Sequence, residues 1–335
     1  MGVVYMGAFP PEYGGVTMKN QNLYIALEKE MPIKRVDFNK VKGRNIKEAV
    51  RLVFHLLNPA DRFVVGVSGK QTRKRFTQAL YYFNRRAMKR SIIMVMGGSA
   101  SYDMSVDPEY GKCAKSYRKI YVETRGMKAE MDAAGFDNVE LYPNGRFRPL
   151  HSVAERNEGG KLNCVFFSKI QPEKGADLVL RAAKELPDVH FAFYGSIADD
   201  YQDSFMADVK RLDNVAYHGI FTGSSEKVYA ELAKYDILLF PTKWDKEGAP
   251  GILVEGKISG IAEIVSNKSY NSELVRNGME GIVLKENTSA ELCVSIQKLE
   301  RDRELLSLLK TGSRRSAEQY YIENYIDAIR KELEG

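Results

Sequence analysis

Two stretches in the second half of this sequence carry residue types at spacings suited to handling an anion. The first is Ser168-Lys169-Ile170-Gln171-Pro172-Glu173-Lys174-Gly175, where a short apolar run turns into an amphipathic one. Two lysines five positions apart on a strand-to-helix turn can converge on one anion, joined by the amides that open the helix. The second is Glu247-Gly248-Ala249-Pro250-Gly251-Ile252-Leu253-Val254-Glu255, which follows an apolar strand pattern and Pro241. Its glycines and Pro250 shape a tight loop that opens a helix with bare amides, which suit a phosphate. Glu247 precedes that turn and Glu255 lies about one turn further in, so the two acids could hold hydroxyls on either side of a diphosphate.

Other chemistries lack their residues. Gly66-Val67-Ser68-Gly69-Lys70 has two residues between its glycines and is followed by Gln71; a nucleotide-binding phosphate loop needs four, and Ser or Thr after the Lys. Gly14-Gly15 and Gly97-Gly98 follow strand patterns without continuing as a dinucleotide fingerprint. Four histidines without ligand spacing and no Gly-x-Ser-x-Gly elbow exclude metalloenzyme and hydrolase readings. Cys113, Cys164 and Cys293 are odd in number and far apart, against a disulfide framework or a structural zinc site.

The elements that must position these groups alternate. Strand patterns are expected at 3–6, 33–37, 63–67, 92–96, 119–122 and 139–142, then at 163–167, 189–194, 215–217, 237–240, 263–265 and 281–284. Helical patterns lie between them at 17–27, 46–57, 72–88, 176–186, 199–212, 226–234 and 251–259. Residues 146 to about 161 are polar, with adjacent glycines, and read as a linker. Two amphipathic helices are expected at the end, over 290–309 and 313–333. The reading is α/β: two doubly wound Rossmann-like domains facing each other across a cleft, with ligands beyond the carboxyl ends of the strands. Residues 1–150 form the first domain, 151–312 the second, and 313–335 a helix packing back toward the first. A length of 335 residues, 44% hydrophobic and 28% charged, supports two such cores.

The net charge of +6 is uneven. Residues 1–150 hold 26 Lys and Arg against 14 Asp and Glu, whereas the remainder holds 24 against 30. Lys70, Arg73, Lys74, Arg75, Arg85, Arg86, Lys89 and Arg90 form a basic cluster suited to anionic lipid, a phosphorylated ligand or a solvated face. Nucleic acid is not expected, since no recognition motif accompanies the charge. No run reaches the length of a membrane span and no secretory signal is evident at Met1 to Gly7, so a cytoplasmic protein is expected, peripheral at the inner face of the cell membrane if the basic cluster meets lipid.

The Glu247–Glu255 block resembles the Glu-x7-Glu signature, with its Gly-x-Pro turn, of the family 4 glycosyltransferases. These are retaining enzymes of the GT-B fold, of the kind that builds bacterial surface polysaccharide. Weaker likenesses run along the chain: Ser168 to Gly175, Tyr142-Pro143-Asn144-Gly145, and Phe9-Pro10-Pro11-Glu12-Tyr13-Gly14-Gly15. The resemblance assigns Lys169, Lys174 and the amides of Gly251, Ile252 and Leu253 to the diphosphate of a nucleotide-sugar donor, with UDP the expected nucleotide. It assigns Glu255 to the ribose hydroxyls and Glu247 to the transferred sugar, and it places the base near Gly219-Ile220-Phe221. Gly14 and Gly15 would let the first domain's backbone approach the phosphate and the acceptor.

Two departures stand out. Lys169 replaces the family's usual Arg, keeping the charge without the planar two-point contact. The family's frequent His after the fourth strand is missing from Met94-Val95-Met96-Gly97-Gly98-Ser99; Ser99, Tyr102 and Asp103 are nearest, and Asp103 is the expected catalytic partner of Glu247. Arg73, Lys74 and Arg75 are expected at the acceptor or membrane side. With fixed lysines and a helix start meeting the leaving phosphate, no metal or cofactor is expected. The acceptor would be a glycan or a lipid-linked sugar. A sugar-nucleotide epimerase of related fold and a non-catalytic nucleotide-sugar-binding protein stay open as alternatives.

Overall fold

The computed structural model describes residues 2–11, 14–153 and 160–335. Glu12 and Tyr13 of the first-strand loop and 154–159 of the expected linker lie outside them. All twelve expected strands form. They are β1 (Val3–Gly7), β2 (Ile33–Asp37), β3 (Arg62–Gly66), β4 (Ile92–Met94), β5 (Lys119–Val122) and β6 (Val139–Leu141) in one sheet. In the other are β7 (Asn163–Phe167), β8 (His190–Tyr194), β9 (Val215–Tyr217), β10 (Ile237–Phe240), β11 (Ala262–Ser266) and β12 (Gly281–Leu284). Every pairing between them is parallel. A parallel sheet is covered by helices on both faces, which is why β1, β3 and β10 are near-continuous apolar runs buried along their length. Lys34 and Arg35 fall on β2, an edge strand, where charge blunts unwanted pairing.

The strand orders are β2-β1-β3-β4-β5-β6 and β12-β11-β10-β7-β8-β9. In each, the winding reverses beside the first strand, between β1 and β3 and between β10 and β7. Connections leave such a pair in opposite directions and open a crevice at the strands' carboxyl ends. The sheets thus belong to two Rossmann-like domains.

The chain divides into one unit of Met1–Phe147 with Tyr321–Gly335 and another of Arg148–Tyr320. The continuous helix expected over 313–333 is broken. Arg303–Ser316 is helical, 3-10 turns follow at Ala317–Tyr320 and Ile322–Asn324, and a last helix spans Ile326–Glu334. Tyr321 between them is extended and bridges Arg146, while the Ile322 amide donates to the Arg146 carbonyl at 2.9 Å. Ile322, Ile329 and Leu333 are thereby buried in the first unit's core. Two other expected helices are interrupted by side chains that cap the next segment. Asp302 accepts from the Leu305 amide (2.9 Å) and Asn84 from the Ala87 amide (3.2 Å).

A buried ion cluster ties the second unit together. Lys257 lies 3.2 Å from Glu263 on β11 and 3.1 Å from Glu280, and the Arg276 guanidinium also reaches Glu280, at 2.7 Å. Burial pushes the Glu263 carboxyl up to about 7, against the pull of Lys257.

Candidate active site

In the second unit, the Ser168–Gly175 turn is built where β7 ends. Pro172–Lys174 makes one 3-10 turn, and Gly175 (φ 84°) starts helix Ala176–Glu185. A side chain at Gly175 would put its Cβ 2.1 Å from the Pro241 carbonyl oxygen, so only glycine lets the turn rest on the end of β10. The two strand ends are also stitched together. The Lys243 amide donates to the Glu173 carbonyl at 2.8 Å, and the Lys243 ammonium meets Asp177 at 2.8 Å. The Ser266 hydroxyl, from β11, donates to the Thr242 carbonyl at 2.7 Å. This places the Ser168–Gly175 turn against the segment after β10, at the point where the sheet's winding reverses.

That segment carries the second motif. The Lys174 ammonium donates to the Glu247 carboxylate and lies 5.9 Å from the centroid of the Trp244 ring. Gly248 and Ala249 are buried beneath. Pro250 caps helix Gly251–Ser259 without a side-chain acceptor, so the amides of Gly251 and Ile252 open the helix uncapped by any side chain. Leu253 is buried and its amide turns back to the Pro250 carbonyl at 3.2 Å. Glu255 is half-buried one turn on, where its carbonyl accepts from the Ser259 hydroxyl at 2.7 Å. Lys169 is exposed on the same turn as Lys174. The two sequence motifs thus meet: Lys174 of the first pairs with Glu247 of the second, four residues before the helix start at Gly251.

Beside them is a group the sequence reading passed over. Tyr194, at the end of β8, stacks on Phe167 (4.9 Å between centroids) and on His218 (4.8 Å). Its hydroxyl donates to Glu231 at 2.6 Å and meets the Tyr235 hydroxyl at 2.8 Å. Phe221 packs edge-on against both Phe167 and Tyr194, and Ile220 stands exposed beside it. The signal lay in the ends of neighbouring strands: Phe167, Tyr194 and Tyr217 are each the last residue of a pattern. Gly195 closes the arrangement, because a Cβ there would lie 1.9 Å from the Ser168 carbonyl oxygen.

The first unit treats its expected residues differently. Gly14 precedes helix Gly15–Glu30, with its amide donating to the Thr17 hydroxyl at 3.0 Å, and both glycines are exposed. Asn20 crosses the switch between β1 and β3, donating to the carbonyls of Ala8 and Gly66, each at 2.9 Å. Lys19 pairs in the interior with Glu123 at 2.9 Å, and burial lowers its pKa against that attraction.

Asp103 does not present an open carboxylate. It is buried between Lys70 (2.9 Å) and Arg73 (3.2 Å), holding helix Lys70–Phe83 to helix Ala100–Val106. Arg73 leaves the surface cluster as well. It is 2% exposed and also donates to the Tyr110 hydroxyl at 2.9 Å, because a guanidinium this deep needs partners for its donors. Lys74 is paired with Asp107 at 2.6 Å, which raises its pKa, and Arg75 alone of the three stays exposed.

The chain is 23% identical over 210 residues to an Escherichia coli enzyme, UDP-Gal:alpha-D-GlcNAc-diphosphoundecaprenol alpha-1,3-galactosyltransferase; the match covers 57% of this chain and 53% of that one. The chain therefore spans about half the length of this curated relative. Anabaena HepE, solved in complex with UDP, superposes with a TM-score of 0.74 at 12% identity over 100% of both chains. Sucrose-phosphate synthase from Thermosynechococcus elongatus gives 0.73 at 12% identity, over 99% and 98% of the two chains. These likenesses establish the fold, two Rossmann-like domains of the GT-B type. The family model for glycosyl transferases group 1 matches residues 148–316, half of the chain and the half that holds Lys174 and Glu247. By that match the chain belongs to the glycosyl transferases group 1 family.

Proposed function

We propose that this chain is a retaining glycosyltransferase that moves a sugar from a UDP-sugar to a glycan or lipid-linked acceptor in the synthesis of a cell-surface polysaccharide. One observation carries the reading: Lys174 meets Glu247 beside the open helix start at Gly251, in the crevice where β7 and β10 part. As the anomeric bond breaks, negative charge builds on the β-phosphate. Lys169, Lys174 and the amides of Gly251 and Ile252 stabilise that charge, being fixed before the reaction begins. Glu255 takes the ribose hydroxyls, and Glu247 takes hydroxyls of the transferred sugar. The aromatic group of Phe167, Tyr194 and Phe221 gives the base an apolar neighbour near Ile220. Retention follows if the acceptor attacks from the face the diphosphate leaves, which needs no covalent intermediate on the protein.

The names of relatives support the donor. HepE was solved with UDP-glucose, and pneumococcal GtfA with UDP and GlcNAc. The E. coli enzyme's name gives a UDP-galactose donor and a diphosphoundecaprenol-linked acceptor. The test is to incubate the protein with a panel of UDP-sugars and acceptors in excess EDTA and to follow free UDP. Acceptor-dependent UDP release with the anomeric configuration retained is expected. Interconversion of UDP-sugars without release would make it an epimerase, binding without turnover a binding protein, and activity only after adding manganese a metal-dependent transferase.

A further inference from the structure

The helix Ile46–Leu57 of the first unit is folded with its apolar side outward. Ile46 (78% exposed), Val50 (63%), Val53, Phe54 (64%) and Leu57 all face solvent. At 3.6 residues per turn these five fall within an arc of roughly 100°. The opposite side is the one that packs: His55 is buried and bonded to Asp61 at 2.7 Å, and the Glu48 carboxylate accepts from the Asp37 amide at 2.8 Å. Ala49, Leu52 and Leu56 are half-buried beside them, so the helix rests on the domain through a mixed side and leaves its larger apolar strip outward, unlike an ordinary surface helix.

The apolar strip continues onto a second element. Asn84 donates to the carbonyls of Leu56 (2.8 Å) and Asn58 (3.0 Å), which fixes the end of helix Lys70–Phe83 beside the end of this one. Phe83, 77% exposed, and Tyr82 stand on that end. Basic residues border the strip: Lys47 and Arg51 on the helix, Arg44 before it, and exposed Arg85, Arg86 and Lys89 after Phe83.

We propose that this face seats the protein on an anionic lipid surface, with the apolar strip in the headgroup boundary and the basic border on the lipid phosphates. An amphipathic helix with apolar residues on one side and cations at its flanks lies in that plane, and each mechanism adds to the other. The charge argues against a second copy as the occupant, since pairing two such faces would bring two basic borders together. The assignment moves the lipid-binding element from Arg73 and Lys74, which are engaged within the domain, to 46–57 and 82–89. It stands independently of the donor reading.

The test is sedimentation of the full chain with vesicles of phosphatidylcholine alone and of phosphatidylcholine mixed with phosphatidylglycerol. Binding to the mixed vesicles is expected, weakening as salt is raised. Val50→Asp with Phe54→Asp, and separately Arg85→Glu with Arg86→Glu and Lys89→Glu, should each reduce it at least about tenfold. Because every one of these side chains is exposed, their melting temperatures should match the native protein. A Phe54→Trp variant adds a readout that does not depend on loss: its emission should shift to the blue with mixed vesicles and be quenched by brominated lipid. Equal vesicle binding by native and Asp variants, an emission from the Phe54→Trp variant that vesicles leave unshifted, or a concentration-dependent dimer abolished by Phe54→Asp in a protein that ignores vesicles would each overturn the proposal.

Discussion

Lys174 and Glu247, 73 residues apart in sequence, are joined as an ion pair at the meeting of two strand ends, both largely shielded from solvent. On the proposed reading, a diphosphate arriving at Lys174 would compete with that carboxylate for the same ammonium. Donor binding and release of Glu247 toward the sugar would thereby be coupled.

This coupling predicts the behaviour of Glu247→Gln. Without the competing carboxylate, affinity for UDP should stay level or rise a few-fold in titration calorimetry. Turnover should fall about a hundredfold or more, because a contact that strengthens as the sugar becomes cationic acts on the transition state. A folded variant with native turnover would remove Glu247 from the chemistry.

Glu255→Gln should do the opposite. If Glu255 holds the ribose, UDP binding should weaken by about 1–2 kcal/mol, the scale of a hydrogen bond to a charged group, with kcat at saturating donor little changed. Unaltered UDP affinity would assign Glu255 to the helix alone.

Asp103 is expected to act on stability. Asp103→Asn leaves buried Arg73 without its counter-ion, so the variant should lose about 2–4 kcal/mol in chemical denaturation. Turnover of the remaining folded protein should stay within a few-fold of native. Native stability with lost turnover would return Asp103 to the reaction centre.

The buried cluster predicts a pH dependence. Because the Glu263 carboxyl titrates at about 7 when folded, against an ordinary 4.5, the folded state holds the extra proton between those values. Stability from this group is present below about pH 4.5 and is lost as pH rises through 7, by at most about 3 kcal/mol. Glu263→Gln should therefore gain melting temperature relative to native between pH 5 and pH 8. Parallel curves for the two proteins would contradict this account of the cluster.

The strands were legible because parallel strands covered on both faces are short continuous apolar runs, as at Val3–Gly7 and Ile237–Phe240. Helix Ile46–Leu57 was legible in extent, but periodicity reports two faces and not which one the domain covers. The break at Tyr321 was not legible, since Tyr320, Tyr321, Tyr325 and Ile329 keep a helical stripe through it; the extended residue is set by Arg146, distant in sequence. For the same reason the motifs named Lys174, Glu247 and Asp103, while their partners came only from the fold. Arg73 looked like surface charge because nothing local announces a buried Tyr110 and Asp103 beside it.

The central claim is that Lys169 and Lys174, with the helix start at Gly251, bind the diphosphate of a UDP-sugar. It is tested most directly by calorimetric titration of UDP into the native protein and into a Lys169→Ala, Lys174→Ala double variant. Two charge-assisted contacts removed together should weaken binding about a hundredfold or more, in a variant that stays folded at the assay temperature although its melting temperature falls as Glu247 loses its counter-ion. UDP binding of equal strength by both proteins, or none by the native protein, would contradict it.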